Sequence, residues 1–446
     1  MTEQVLGALR QRVRALGAPL DIAAFRRLWL ADVISLLGDW AGRLALTVLV
    51  LERTGSPAWA AGVTAVSLAG FVGIGQVLAT LADRYGRITV MLVADVARAL
   101  LFFSMLAPIP VGGLLILAFL AGLATPPFEA ARSAALPDLV PEARYTEALA
   151  LAGISVQASL VLGYALGGVL LTLVSASVAL ALNAGSFLVS ALLLVGLRGS
   201  PASRPASHRS TVSRSLRAGA ASLFGDRMVR RALSIVAVTG ALGTVAEALV
   251  VPYAAGIGFG GGQLGLLAAA VPVGTLLGTA VVVSGTRDHH ALLRNAASCG
   301  AVTAAAAAPF FWFEVRGAVA FLAFAIAGGI FAVSIPANTV IGMRLSRDVR
   351  ASAMGIAVGV LMGSQALGAG VGGLVASTTG SGHAIAAAMA TAAIFGVWAV
   401  VTTPVEPPRH AATVTQPAAR PLRAAPLPDA VIDLDAVDAE RSVVTG

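Results

Sequence analysis

The chain has 446 residues, of which 57% are hydrophobic and only 12% charged, against about 25% charged in a soluble domain. Its net charge of +8 rests on thirty basic residues, all Arg, whose clustering in alternate loops argues against nucleic acid as the partner. A single cysteine, Cys299, excludes an internal disulfide and speaks against a cysteine-based metal site.

Residues 1–24 carry Leu6, Leu9, Val13 and Leu16 at helical spacing, with Arg10, Arg12 and Arg14 between them. The spacing predicts an amphipathic helix on the inner membrane surface. No cleavable signal is read there, so the first transmembrane helix acts as its own signal. Hydrophobic segments follow at about 25–51, 57–82, 88–108, 110–133, 145–172 and 176–197, each able to cross a hydrocarbon core of ~30 Å as a helix. The stretch RGSPASRPASHRSTVSRSLRAG (198–219) cannot bury itself in lipid, and 198–228 is expected to be a cytoplasmic linker. Six more segments run at about 229–254, 262–285, 291–310, 315–343, 350–378 and 383–403, before a tail, 404–446, expected to be disordered.

This pattern predicts an all-α polytopic membrane protein of about 12 transmembrane helices, in an N-terminal bundle (25–197) and a C-terminal bundle (229–403). Twelve crossings put both termini on one side. With that side cytoplasmic, only Arg53 and Arg316 fall on the far side, and Arg43 and Arg98 lie within crossings. The expected location is the cell's inner membrane, with both termini cytoplasmic.

The two halves match at one constant offset of 205 residues, which pairs Arg26 with Arg231, Gly38 with Gly243 and Asp83 with Asp288. It also pairs LGYALGG (162–168) with LGAGVGG (367–373), keeping Gly163/Gly368, Gly167/Gly372 and Gly168/Gly373. A duplicated six-helix unit is a recognised transporter plan, with substrate held near the midplane between the halves. The glycines are expected to let helix backbones approach one another.

The loop ATLADRYGRI (79–88) places Asp83, Arg84 and Arg87 between two apolar runs. Gly86 is expected to permit a tight reversal there, and Asp83 to take an Arg partner or a helix N-terminus. The stretch resembles the Gly-x-x-x-Asp-Arg/Lys-x-Gly-Arg/Lys-Arg/Lys loop of the major facilitator superfamily. Asp83, Arg84, Gly86 and Arg87 match; Ala79 and Ile88 depart from it. The resemblance covers residues 25–403. It implies a loop that latches the halves when the cavity faces outward, with Asp83, Arg84, Gly86, Arg87 and Asp288 as gate components; Glu129 and Arg132 are read either as latch partners or as cavity residues. FRRLWLADVISLLGDWAGRLAL (25–46) and PPFEAARSAALPDLVPEARYTEALAL (126–151) are similar to the drug:proton antiporter branch that includes macrolide and siderophore exporters. The fifth helix resembles the antiporter signature Gly-x-x-x-Gly-Pro-x-x-Gly-Gly through Gly163, Gly167 and Gly168. Ser159 stands for its leading glycine and Tyr164 for its proline.

A charge at mid-bilayer costs ~2.5–3.5 kcal/mol on insertion scales, so each one needs a reason. Counted from Arg27 at ~1.5 Å per residue, Asp39 lies roughly 18 Å in, with Arg43 one turn on and able to pair with it. Asp32 is on the same face nearer the cytoplasmic end. Glu247, counted from Arg231, lies about 24 Å in. In the resembled fold the first, fourth, seventh and tenth helices line the central cavity, which implies that Asp39, Arg43, Glu247 and Asn338 face it. One reading is proton coupling, since a carboxylate in a poorly hydrated cavity can hold a proton until a neighbour or a change of exposure releases it. The other is a structural Asp39–Arg43 ion pair. Asp95 and Arg98 are expected to brace the second or fourth helix. Gln157 and Gln365 are read either as substrate contacts or as helix-to-helix hydrogen bonders.

The leading expectation is proton-coupled efflux of an amphipathic small molecule. The alternatives are a proton-coupled importer of a metabolite and a non-transporting scaffold of the same fold. A chain without Lys has no Gly-x-x-x-x-Gly-Lys-Ser/Thr loop. His208, His289, His290, His383 and His410 all fall in loops or near membrane ends, so neither an enzyme nor a metal or cofactor site is expected. The expected partners are a small-molecule substrate, protons and the bilayer, around a monomer.

Overall fold

The computed structural model describes residues 15–203, 212–283 and 289–403. Residues 1–14, Asp288 and the tail 404–446 lie outside the described residues, as does the side chain of Asp83. Among the described residues the fold is all-helical, with no strand. The first half comprises α1 (Ala23–Thr54), α2 (Pro57–Leu78), α3 (Arg87–Ser104), α4 (Val111–Leu139), α5 (Tyr145–Leu173) and α6 (Ala176–Val195). The second comprises α7 (Arg227–Gly256), α8 (Gly261–Val283), α9 (His289–Trp312), α10 (Ala318–Arg344), α11 (Arg347–Thr379) and α12 (Ser381–Thr402).

Ten of these are long and apolar enough to cross a membrane. The other two are α3, diluted by Arg87, Asp95 and Arg98, and α9, which opens on His289, His290 and Arg294; they run 18 and 24 residues. At ~1.5 Å per residue even α3 reaches about 27 Å, close to the thickness of a hydrocarbon core. The chain is a multi-pass helical membrane protein.

Short connections make successive helices antiparallel, so the bundle has a near face, where α1 begins, and a far face, where α1 ends. Helix ends are set locally. Gly55 closes α1 in the left-handed region (φ 62°), and Asp226 starts α7 by accepting from the Met228 and Val229 amides at 2.6 and 3.2 Å.

Three helices that the apolar runs make continuous are broken in the structure. α2 is regular over Pro57–Ala69, turns at Gly70–Gly73 with Gly73 at φ 62°, and resumes over Ile74–Ala79. α7 breaks at Leu249, and α10 passes through a 3-10 segment at Gly329–Val333. The first break has a packing cause. A Cβ on Gly70 would stand 2.5 Å from the Gly122 carbonyl carbon of α4, so the two backbones are in contact there. The linker also differs from expectation, because Val212–Gly225 is helical and lies against α11. A Cβ on Gly219 would stand 2.9 Å from Ala353 N.

Within the first half α1 packs on α5 and α6, and α3 on α4 and α6; within the second, α7 packs on α11 and α9 on α12. Two helix pairs, α2 with α11 and α5 with α8, carry most of the packing between the halves, and α7 also meets α1 and α2. The buried apolar side chains follow the same division. At the near face each half has its own core, one around Phe25, Met91 and Leu136, the other around Val229, Leu293 and Ile341. At the far face one core crosses the seam, with Leu44, Ala61 and Tyr164 packed among Val245, Leu249 and Leu267. Among the described residues, the buried apolar cluster that spans both halves lies at the far end.

Candidate functional site

The repeated glycines build that far-face junction twice. In the first half, a Cβ on Gly163 would lie 2.7 Å from Trp40 Cβ, and one on Gly167 2.8 Å from Ala41 Cα, so both face α1. Gly168, one residue on, lies directly against Gly265 of α8. In the second half, Gly368 and Gly372 meet Ala241 and Val245 of α7, and Gly373 meets Ala58 and Ala61 of α2. Each triplet thus has two glycines toward its own half and one toward the other half. A methyl group at the last of each would push the halves apart.

Tyr164 sits between those glycines and points across the seam. Its hydroxyl donates to Glu247 Oε1 at 2.9 Å. Glu247 is half-buried on α7, two residues before the break at Leu249. On the other side, the Tyr164 ring lies 5.3 Å from Trp40, and the Arg43 guanidinium stands 4.6 Å above the Trp40 ring. Arg43 pairs with Asp39 at 3.7 Å. A continuous chain of contacts therefore runs Asp39–Arg43–Trp40–Tyr164–Glu247, joining the two acids that the sequence singles out. In the sequence Tyr164 stands out only as a replacement for proline. A hydroxyl-bearing ring at that position was the available signal.

The resemblance implies that Asp39 and Arg43 face a space between the halves. They instead line a cavity of about 20 Å³ inside the first half, walled by Ser67 and Phe71 of α2, Phe102 of α3 and Thr125 of α4. It is large enough for about one water molecule.

Arg132 pairs with Asp32 of α1 at 2.9 Å. This pair lines a cavity of about 220 Å³ whose walls include Leu28, Trp29, Tyr145 and Val156. The Trp29 indole donates to Ser155 Oγ at 2.7 Å and fixes α1 to α5 beside it. The loop before α3 is fastened within its own half, since Arg87 pairs with Asp138 at the end of α4 and Arg84 stands 5.6 Å from its neighbour's ring, Tyr85. Gly86 has φ −52° and ψ 136°, a conformation open to any residue, so the reversal does not require glycine there.

Asp95 and Arg98 pair as expected on α3, yet they brace the fourth and sixth helices. Ser190 donates to Asp95 at 2.6 Å, and the Arg98 guanidinium lies 4.6 and 4.4 Å from the Phe128 and Phe187 rings. Glu129, one turn before Arg132, is exposed and within electrostatic reach of Arg132, Asp32, Arg98 and Asp39. Among the described residues it has no ion-pair partner. Within the helices of the first half Arg43, Arg87, Arg98 and Arg132 each pair with an aspartate.

The remaining candidates lie apart from this chain of contacts. Gln365 packs over Gly240 of α7, 3.5 Å from where a Cβ would be, in a helix-packing position. Gln157 and Asn338 are half-buried on α5 and α10. Cys299 is half-buried against the near-face core of the second half. No three His, Cys, Asp or Glu side chains come together as metal ligands among the described residues.

A family profile described as Major Facilitator Superfamily matches residues 28–357. The chain belongs to the Major Facilitator Superfamily. Over 165 residues it is 31% identical to the uncharacterized MFS-type transporter YfiS of Bacillus subtilis (strain 168), a match spanning 37% of this chain and 40% of that protein. The chain thus spans less than half the length of that curated relative. Several solved structures share its architecture at low identity. A POT family transporter in complex with a thioalcohol-conjugated peptide has a TM-score of 0.68 at 12% identity, covering 84% of this chain and 95% of that one. A bacterial homologue of the human lysosomal transporter Spinster, in an inward-facing and unoccupied conformation, has 0.67 at 14%, covering 85% and 96%. The nucleoside transporter NupG has 0.65 at 16%, covering 84% and 97%. Such identities show a common fold of this superfamily and nothing finer.

Proposed function

We propose that this superfamily member is a secondary transporter that exports an amphipathic small molecule in exchange for protons. The observation that carries the reading is Glu247, a carboxylate deep in α7 that is bonded to the opposite half. Insertion of such a charge is costly, and its placement at the seam lets protonation bias one arrangement of the halves over the other. Asp39, salt-bridged to Arg43 and connected to Glu247 through Trp40 and Tyr164, is the second coupling candidate. Gly163, Gly167 and Gly168 of α5 match part of the antiporter signature, and Ser159 and Tyr164 depart from it. The near face, which carries most of the Arg residues, is the cytoplasmic side in this reading, and the separate cores there mark the side on which the halves part.

The test uses inverted membrane vesicles with an imposed proton gradient and a panel of amphipathic dyes, macrolides and siderophores. An exporter of this kind lets its substrates collapse the gradient, and Glu247→Gln abolishes the response while expression is kept. Full coupling in both Glu247→Gln and Asp39→Asn removes these acids from the mechanism.

A further inference from the structure

We infer that Tyr164 is the positioning residue that ties the state of Glu247 to closure of the far face. The inference rests on the reading of Glu247 as a coupling acid and adds the part that carries its charge state to the other half.

Three observations converge on it. Tyr164 is 5% exposed, and its hydroxyl donates to Glu247 from the opposite half. Gly163 and Gly167, flanking it, press α5 onto α1, and Gly168 presses it onto α8, so the ring cannot move without opening the seam. Above the contact, toward the far face, lies a cavity of about 330 Å³ lined by Val48, Leu51, Glu52, Leu171, Val251 and Leu264, among others. Val251 is one helical turn beyond Glu247 and Val48 little more than one beyond Arg43, so this vestibule lies about one turn to the far side of the Tyr164–Glu247 bond.

The chemistry follows from the donor. A phenol gives a stronger hydrogen bond to a carboxylate than to a carboxylic acid. An ionised Glu247 therefore holds the far face shut, and a proton arriving through the vestibule weakens the bond that shuts it. The charges that reach this pair are Arg43 and Asp39 of α1. α2 carries no ionisable side chain between Pro57 and Ala79. The ionisable residues of α10, α11 and α12 (Arg344; Arg347, Asp348 and Arg350; His383) all sit at helix ends. The pH dependence of opening is assigned to Glu247, with Arg43 and Asp39 as its electrostatic neighbours and Glu52 of α1 as the other carboxylate on the vestibule wall.

The experiment reads access from the far side and needs no substrate. Cys299→Ala removes the only native thiol, and Leu44→Cys places one at a site 2% exposed in the core that crosses the seam beside Tyr164. Labelling by a membrane-impermeant maleimide, in vesicles with the far face outside, then measures opening. A companion thiol at exposed Leu173 corrects for the pH dependence of the reagent. With Tyr164 present, corrected labelling is slow and accelerates as pH falls. Tyr164→Phe, which keeps the ring, labels about tenfold faster at neutral pH, the factor expected for one lost charge-assisted hydrogen bond. Glu247→Gln gives a similar rate, and the double variant is no faster than either single one. Slow, pH-responsive labelling in Tyr164→Phe overturns the inference, and so do additive effects in the double variant. The two claims separate cleanly: should Glu247→Gln keep full proton coupling while Tyr164→Phe opens the far face, the coupling role fails and the latch stands.

Discussion

Gly168→Ala tests the seam in the simplest way, by adding one methyl group. At that position a Cβ would stand 2.5 Å from Gly265 N and 2.7 Å from Gly261 O, and closer still to Gly265 Cα. Ordinary contact begins near 3.4 Å, so α5 and α8 must separate by roughly 1 Å, since no flexible side chain is there to yield. Overpacking of this kind costs ~1–3 kcal/mol. The cost falls only on the state in which the far face is closed, because an open seam has no contact at Gly168. The open-to-closed ratio therefore rises by about five- to a hundred-fold. Spin labels at exposed Leu173 and Phe313, in a Cys299→Ala background, report the distance across the far face. Gly168→Ala enlarges the long-distance population. Gly153→Ala, on the same helix with nothing within 4 Å of its Cβ, leaves it unchanged. Unchanged distances in Gly168→Ala, with the protein folded, would refute the claim that this glycine contact holds the halves together.

Other outcomes follow from the charges. Asp95→Asn leaves Arg98, whose side chain is 5% exposed, without its counter-charge, and costs ~3–5 kcal/mol in thermal denaturation in detergent. Asp32→Asn costs less, because Arg132 is 22% exposed and can be solvated from the cavity beside it; equal losses in the two variants would contradict this. Asp226→Ala removes the α7 cap and the 3.1 Å bond to Arg344, for about 1 kcal/mol. Burial works to raise the Asp226 carboxyl, but the Val229 and Met228 amides and Arg344 outweigh it and hold it below its ordinary value. The contribution is therefore present above the ordinary carboxylate range and lost as pH falls through the lowered folded value. Parent and Asp226→Ala melting temperatures should converge below that point, and a constant gap down to strong acid would contradict the assignment.

The division into two six-helix halves was legible because lipid demands long apolar runs and a duplicated sequence repeats its glycines at one offset. The breaks in α2, α7 and α10 were not, because hydropathy is continuous through Gly70–Gly73, Leu249 and Gly329–Val333. They follow from backbone contacts between helices, such as Gly70 on Gly122, that no local pattern encodes. Asp39–Arg43 and Asp95–Arg98 could be read from spacing, since residues three or four apart share a helix face. Arg132 could not be matched to Asp32, which lies on another helix, because its choice depends on the relative rotation of α1 and α4. The Tyr164–Glu247 bond is harder still, joining residues in different halves whose meeting depends on which face is closed.

Proton release on substrate binding tests the central claim most directly. Purified protein in weakly buffered detergent solution is mixed with the panel compound that collapses the vesicle gradient, and the pH is followed. The account predicts stoichiometric acidification by the parent protein and none by Glu247→Gln, with binding retained. Equal proton release by both, or binding by the parent with no release at any pH, would contradict it.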